Sequence, residues 1–189
     1  MEQLHCRRII LTGNPRVGKT TIVRKTISAA KKRNLILTGI ITPEIREGGR
    51  RKGFQIVDLR SGEKGILASV ASERSQPTQW RVGKYRVHQE SLKEIAIPAI
   101  QEAMENPRVD LVIIDEIGKM EVLDANFAAL ATEALRNETY RYSALATLGR
   151  GIPRSIRARL ELETIEKIHV EVSNRDYIAK DLQKWVSKK

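Results

Sequence analysis

Residues 8–21 read Arg8-Ile9-Ile10-Leu11-Thr12-Gly13-Asn14-Pro15-Arg16-Val17-Gly18-Lys19-Thr20-Thr21. The first five form a short apolar run of the kind that buries as a strand. Gly13 to Thr20 follows as G-x-x-x-x-G-K-[ST], and from Thr20 to Arg33 the apolar residues Ile22, Val23, Ile27 and Ala30 recur at helical spacing. A strand, a glycine-rich loop and a helix N-terminus in that order predict a phosphate cradle. Glycines let consecutive amides point at one phosphate, and the helix end adds partial positive charge. Gly13, Asn14, Pro15, Arg16, Val17, Gly18, Lys19, Thr20 and Thr21 are therefore the candidate nucleotide-binding residues. Lys19 is expected at the β- and γ-phosphates, Thr20 on Mg²⁺ and Thr21 near the α-phosphate.

A cradle of this kind needs an acid on a neighbouring strand. Leu111-Val112-Ile113-Ile114-Asp115-Glu116 supplies it, four apolar residues ending in two carboxylates. The C-terminal ends of strands are where open α/β sheets bind ligands. Asp115 is the expected metal residue, acting through the water shell of Mg²⁺. Glu116 is the expected catalytic residue, placed to polarise a water in line with the γ-phosphate; its bland alternative is a surface acid paired with Lys119. Asp115-Glu116-Ile117-Gly118 also fits D-x-x-G, but no guanine-reading N/T-K-x-D string follows. The acid pair instead predicts an additional strand between the cradle strand and the Asp115 strand. Residues 141–147 are its candidate, with Thr147 facing the γ-phosphate.

Strands at 8–12, 35–42, 109–115, 141–147 and 165–172 alternate with helices at 20–33, 91–105, 124–137, 153–160 and 173–189. This predicts an α/β, three-layer P-loop NTPase fold: a mainly parallel sheet with helices on both faces. Ser91-x-x-Glu94 reads as a capping box, and Ser173 with Asp176 as a second cap. Residues 44–71 break the helical rhythm and predict a small antiparallel β-hairpin insertion within a single 1–189 domain. The loop at 72–83, with Lys84 and Tyr85 behind it, is a candidate lid; equally, Lys84 and Tyr85 simply start a short strand.

At 189 residues, 41% hydrophobic and 30% charged, the chain can bury one sizeable core. Its composition excludes bulk disorder, collagen and a membrane-embedded bundle. Cys6 is the only cysteine, which excludes an intrachain disulfide. No apolar run approaches the roughly 20 residues that span a bilayer, and Met1 to Arg8 carries no signal-peptide h-region. These features predict a cytoplasmic chain, taken as a monomer without membrane association. Of the net charge of +11, residues 1–54 hold +10, from 13 Lys/Arg against Glu2, Glu44 and Glu47. That region is either a solvated basic face or a polyanion surface, the latter predicting weak nucleic-acid binding. Aromatic residues are only 4%, and no base-stacking string supports RNA readout. His5, His88 and His169 show no metal-ligand spacing.

These residues resemble a known family, the small RecA-like nucleoside-triphosphatases described from thermophiles, with a vertebrate relative called cancer-related nucleoside-triphosphatase. The resemblance rests on the cradle, Gly53-Phe54-x-Ile56-Val57-Asp58-Leu59, Arg81-Val82-Gly83-Lys84-Tyr85, Asp115-Glu116-Ile117-Gly118-Lys119-Met120-Glu121 and Asn174-Arg175-Asp176. It implies a RecA-like fold, Mg²⁺, and hydrolysis of ATP, GTP and other nucleoside triphosphates to diphosphate and phosphate. Where the family usually has Pro-Gly-Val-Gly-Lys-Thr, this chain has Arg16 in place of the first glycine.

An arginine commonly stabilises charge on the transferring phosphoryl group. Arg16, Arg81, Arg150 and Arg154 are candidates, Arg150 first because it follows the Thr147 strand. Analogy with related P-loop folds places the base near the loop after the last strand. Asn174 would then contact its edge and Arg175 would stack on it. Two alternatives remain at this point. One is a nucleotide or nucleoside kinase, with Arg154-x-x-Arg157-x-Arg159 clamping an acceptor; the other is a nucleic-acid-dependent ATPase.

Overall fold

A computed structural model of the chain describes residues 6–71 and 80–187. Ten strands form one sheet in the order β10-β1-β9-β8-β2-β4-β5-β7-β6, with β3 pairing β4 at the side. The five core strands are β1 (Arg8–Thr12), β2 (Leu37–Ile41), β8 (Leu111–Ile117), β9 (Ser143–Leu148) and β10 (Glu166–His169), and all pair in parallel. The additional strand is present: β9 lies between β1 and β8. Its Leu145 pairs with Ile9 on one side and Ile113 on the other.

The apolar runs are continuous because both sheet faces are covered. Successive side chains leave a strand on opposite faces. Ile9, Leu11, Ile113 and Leu145 therefore join one core with α1 (Lys19–Lys32) and α6 (Arg175–Ser187). Ile10, Val112, Ile114, Ala144 and Ala146 join the other, with α3 (Ile97–Glu105) and α4 (Ala125–Arg136). The entry to α4 is set by Asp124, whose Oδ1 accepts from the amides of Asn126 and Phe127. The end of α1 is set by Asn34 at φ 56. That left-handed residue lets the amide of Leu35 return to the Ala30 carbonyl, a glycine-type stop made with asparagine.

The antiparallel extension is larger than the 44–71 hairpin. It comprises β3 (Glu44–Glu47), β4 (Arg50–Asp58), β5 (Lys64–Val70), β6 (Arg81–Val82) and β7 (Tyr85–Val87), and it continues the main sheet through β2 and β4. Arg51 organises it. Its guanidinium donates to the Tyr85 hydroxyl and to Glu44, and lies over the Phe54 ring. Tyr85 is thus buried in the extension, where it starts the short strand β7 with five strands between it and β1, and is no part of a lid over the cradle. Residues 72–79 of the expected lid loop lie outside the described residues, as does His5.

The basic N-terminal region is also less free than its composition suggests. Arg8 is buried, bonded to the carbonyls of Tyr142, Tyr140 and Asn137, and stacked on the Tyr142 ring. Lys19 is buried too.

Two predicted caps are absent. Ser91 donates to the Ile66 carbonyl instead, and the helix begins at α2 (Gln89–Ser91) after His88. A π-turn over Leu92–Ala96 then leads into α3. Pro98 explains that wide turn, because a proline nitrogen has no hydrogen for the i−4 carbonyl. Ser173 and Asp176 do not cap α6 either. Ser173 lies against Glu171, and Asp176 pairs with Lys25 at 3.9 Å.

Gly39, in the middle of β2, has φ +96, and a Cβ there would overlap the Ile113 carbonyl oxygen. Gly39→Ala is expected to cost more than about 2 kcal/mol in chemical denaturation. Gly48→Ala, at φ +53 with open space around it, is expected to cost about 1 kcal/mol.

Candidate active site

The cradle loop sits between β1 and α1. Gly13 has φ 129 and Gly18 φ 116, both in the region L side chains avoid. A Cβ on Gly13 would overlap the Val170 carbonyl at the end of β10. Arg16, where the resembled family has glycine, is held at φ 64, so the loop keeps the left-handed geometry at a cost of about 1 kcal/mol. The Arg16 side chain is exposed. Lys19 lies back across the loop, its Nζ donating to the carbonyls of Gly13 at 3.0 Å and Asn14 at 3.3 Å. Gly18 gives α1 no side-chain cap, and the first turn holds no acid. The first amides of α1 are therefore unneutralised by any carboxylate, a setting that favours an anion.

Three elements meet at Asp115. Its Oδ1 accepts from Thr20 Oγ1 at 3.3 Å and from Thr147 Oγ1 at 2.6 Å. Thr147 was expected to face the γ-phosphate; its hydroxyl instead serves Asp115, because β9 lies directly beside β8. Asp115 Oδ2 is buried with no hydrogen-bond partner. An ionised oxygen so placed is costly unless a cation meets it, and an all-oxygen set of Thr20 and Asp115 suits Mg²⁺. Burial pushes the Asp115 carboxyl up, opposed by the Thr147 and Thr20 hydroxyls and by the charges of Arg24 and Lys19. Arg24 was not among the residues the sequence pointed to; its i+4 spacing from Thr20 is the signal for its influence on this acid.

Glu116 is half-buried beside Asp115. Burial and then the Asp115 charge raise its carboxyl, and Lys19 lowers it. Two glycines make room for it. A Cβ on Gly118 would lie 2.5 Å from Glu116 Oε1, and one on Gly149 3.0 Å from the same oxygen. Lys119 extends across Gly151, and among the described ion pairs none joins it to Glu116. Arg150, next to Gly151, reaches the cradle: its Nη1 donates to Asn14 Oδ1 at 3.2 Å. Arg81 bonds the Gly83 carbonyl on the extension, and Arg154 is exposed at the start of α5 (Arg154–Arg159).

The loop after β10 divides the two residues assigned to it. Arg175 lies against Gly18 and lines a cavity of about 230 Å³ with Thr21, Ile22, Lys25, Asp176 and Ala179. Asn174 is spent on its own loop. Its Nδ2 donates to the His169 carbonyl at 2.9 Å, and its Oδ1 accepts from the Glu171 amide at 2.8 Å. His169 meets Thr12 and His88 meets Ser69. Among the described residues no group of three or more His, Cys, Asp or Glu could hold a metal.

A family model described as NTPase matches residues 8–183. The chain belongs to the NTPase family. A curated relative from Thermofilum pendens, named nucleoside-triphosphatase THEP1, is 36% identical over 183 residues, covering 96% of both chains. Another of that name from Methanothermobacter thermautotrophicus is 37% identical over 90% of this chain and 91% of its own. Among solved structures, THEP1 from Aquifex aeolicus superposes with TM-score 0.77 at 31% identity, covering 95% of this chain and 99% of the other. A human cancer-related nucleoside triphosphatase superposes with TM-score 0.79 at 32% identity, covering 97% and 100%. The family and the P-loop fold expected from the sequence are both as found. No helix among the described residues is long and apolar enough to cross a membrane.

One acid near the site was quoted only as part of a motif. Glu121, in the 3-10 turn Glu121–Leu123, is 3% exposed. Burial first, and then the Glu116 charge, push its carboxyl up to about 8. A folded-state value above the unfolded one gives stability that is full below about pH 4.5 and is lost as pH rises towards 8. Glu121→Gln is therefore expected to gain on the parent by up to about 1.4 kcal/mol per pH unit across that window, read from denaturant unfolding at pH 5 to 8.

Proposed function

We propose that the chain hydrolyses nucleoside 5′-triphosphates to the diphosphate and phosphate at the Gly13–Thr21 loop. The observation that carries the reading is the convergence on Asp115 of the cradle hydroxyl of Thr20 and the β9 hydroxyl of Thr147, with Glu116 next in the chain and turned into a glycine-lined notch. Family membership and the relatives' shared name support the same activity.

The loop amides and the start of α1 bind the triphosphate tail, and Lys19 leaves its loop carbonyls for the β- and γ-phosphates. Thr20 and, through the metal's water shell, Asp115 would hold Mg²⁺, which when bound neutralises phosphate charge. Glu116 orients a water in line with the γ-phosphorus and accepts its proton as the new P–O bond forms. The bond from the γ-phosphorus to the bridging oxygen breaks, and the diphosphate leaves with that oxygen. Arg150, already at the cradle rim, meets the charge on the equatorial oxygens. Arg175 covers the nucleoside end.

The geometry gives no separate support to a kinase or a nucleic-acid-dependent ATPase. Phosphate release from several triphosphates, with Mg²⁺ or a chelator and with candidate acceptors or RNA added, checks all three readings. Hydrolysis without an acceptor is expected, and strict dependence on one would overturn the proposal. Glu116→Gln is expected to lower kcat by at least about 10²-fold. Arg150→Ala is expected to lower kcat by about 10³-fold, with Arg150→Lys restoring little, because a point charge lacks the guanidinium fork.

A further inference from the structure

Glu121 lies outside the cradle, off the strand ends and away from the nucleoside cavity, yet its carboxylate is turned back towards the reacting end of the site. A Cβ on Gly118 would lie 2.5 Å from Glu116 Oε1 and 2.6 Å from Glu121 Oε2. The two carboxyl groups therefore meet over a single glycine, where any larger residue would separate them from the backbone. Gly149 closes the notch from the other side, 3.0 Å from Glu116 Oε1 at its Cβ position. Glu121 is buried, and its turn begins directly after Gly118-Lys119-Met120, so it has no freedom to swing into solvent.

The charges around Glu121 are one-sided. The acids Glu116 and Asp115 on β8 disfavour its charge; the backbone amides of Glu121 and Gly118 favour it. On the neighbouring α4 the nearby acid, Asp124, is turned to its own helix amides. Lys119 lies away over Gly151, and the Lys19 charge acts on Glu116. Two ionised carboxylates in so small a buried notch repel strongly, and such a pair keeps one proton. Glu116 is the more open of the two, so the proton belongs on Glu121.

We propose that Glu121 is a positioning residue for hydrolysis: as a neutral acid it sets the Glu116 carboxylate in the notch between Gly118 and Gly149, and its ionisation drives that carboxylate out of line with the attacking water. Among the described hydrogen bonds none joins its carboxyl to Thr20 or Asp115, and it acts through Glu116. The inference rests on the proposed role of Glu116, and its tests separate the two. It gives the enzyme an alkaline limit set by a side chain outside the nucleotide-binding loop, with the uncharged form as the working one.

The experiment measures kcat and KM for ATP with Mg²⁺ from pH 6 to 9.5 in the parent, Glu121→Gln, Glu121→Ala and Glu116→Gln. In the parent kcat falls several-fold between pH 7 and 9, on the order of one proton's titration, while KM stays within about twofold. In Glu121→Gln, which keeps shape and cannot ionise, that fall is absent. Glu121→Ala loses about tenfold or more in kcat at pH 7, and the glutamine variant recovers most of it. A parent profile flat to pH 9.5, an alkaline fall that persists in Glu121→Gln, or full kcat in Glu121→Ala each overturns the positioning role. Should the alanine variant not fold, the glutamine profile decides alone. Glu116→Gln reports separately: hydrolysis at the parental rate there overturns the base assignment itself, whatever Glu121 does.

Discussion

Asp115 is the residue on which the site's geometry hangs. One of its oxygens collects a hydroxyl from the cradle helix and another from the adjacent strand, while its second oxygen is buried with no partner. Each donor comes from a different element, so a shift of α1 or β9 against β8 would break a hydrogen bond, the one to Thr147 being fully buried. Net hydrogen bonds to charged groups are worth about 1.5–3 kcal/mol, but leaving a buried charged acceptor unsatisfied costs more. The cradle is therefore locked to the sheet at the point where a metal would bind. The unpartnered oxygen is the complement of that lock, a group whose charge is relieved by a cation or, as burial favours, by a proton.

Around this centre the acids are graded by exposure. Asp115 is buried but accepts two hydroxyls, Glu116 is half-open and next to the cradle, and Glu121 is enclosed with backbone amides and the Glu116 carboxylate. Burial raises all three, and only the first two feel a lysine. Neighbouring carboxylates in unequal surroundings separate into ionised and neutral partners, and such a separation is how one site obtains both a base and an uncharged acid at the same pH.

The sequence disclosed the parts of this arrangement that are local. The 8–21 stretch is a strand, a loop and a helix whose order along the chain is itself the motif, so it could be read before its distant partners on β9, β10 and Asp115 were known. The 111–116 stretch declares its burial by an unbroken apolar run. The additional strand was legible because an acid pair after an apolar strand demands a particular sheet order. What stayed hidden depends on partners far along the chain. Thr147 reads as a strand residue until β9 is seen to lie beside Asp115. Asn174 reads in the sequence as a base contact, and its bonds across the 169–174 loop to His169 and Glu171 depend on a loop shape that spacing does not show. Ser91 satisfies a capping pattern, but the Ile66 carbonyl, brought there by the extension, takes its hydroxyl. Glu121 is an ordinary acid in the sequence, and only the absence of a side chain at Gly118 turns it towards Glu116.

The antiparallel extension grows outward from β2, with the Arg51 cluster well inside it and the Gly48-Gly49 turn at its tip. Nothing lies within 4 Å of either glycine's Cβ position. A dye or an affinity handle attached at that tip would meet open space and would ride on an arm hydrogen-bonded into the same sheet as the cradle strand.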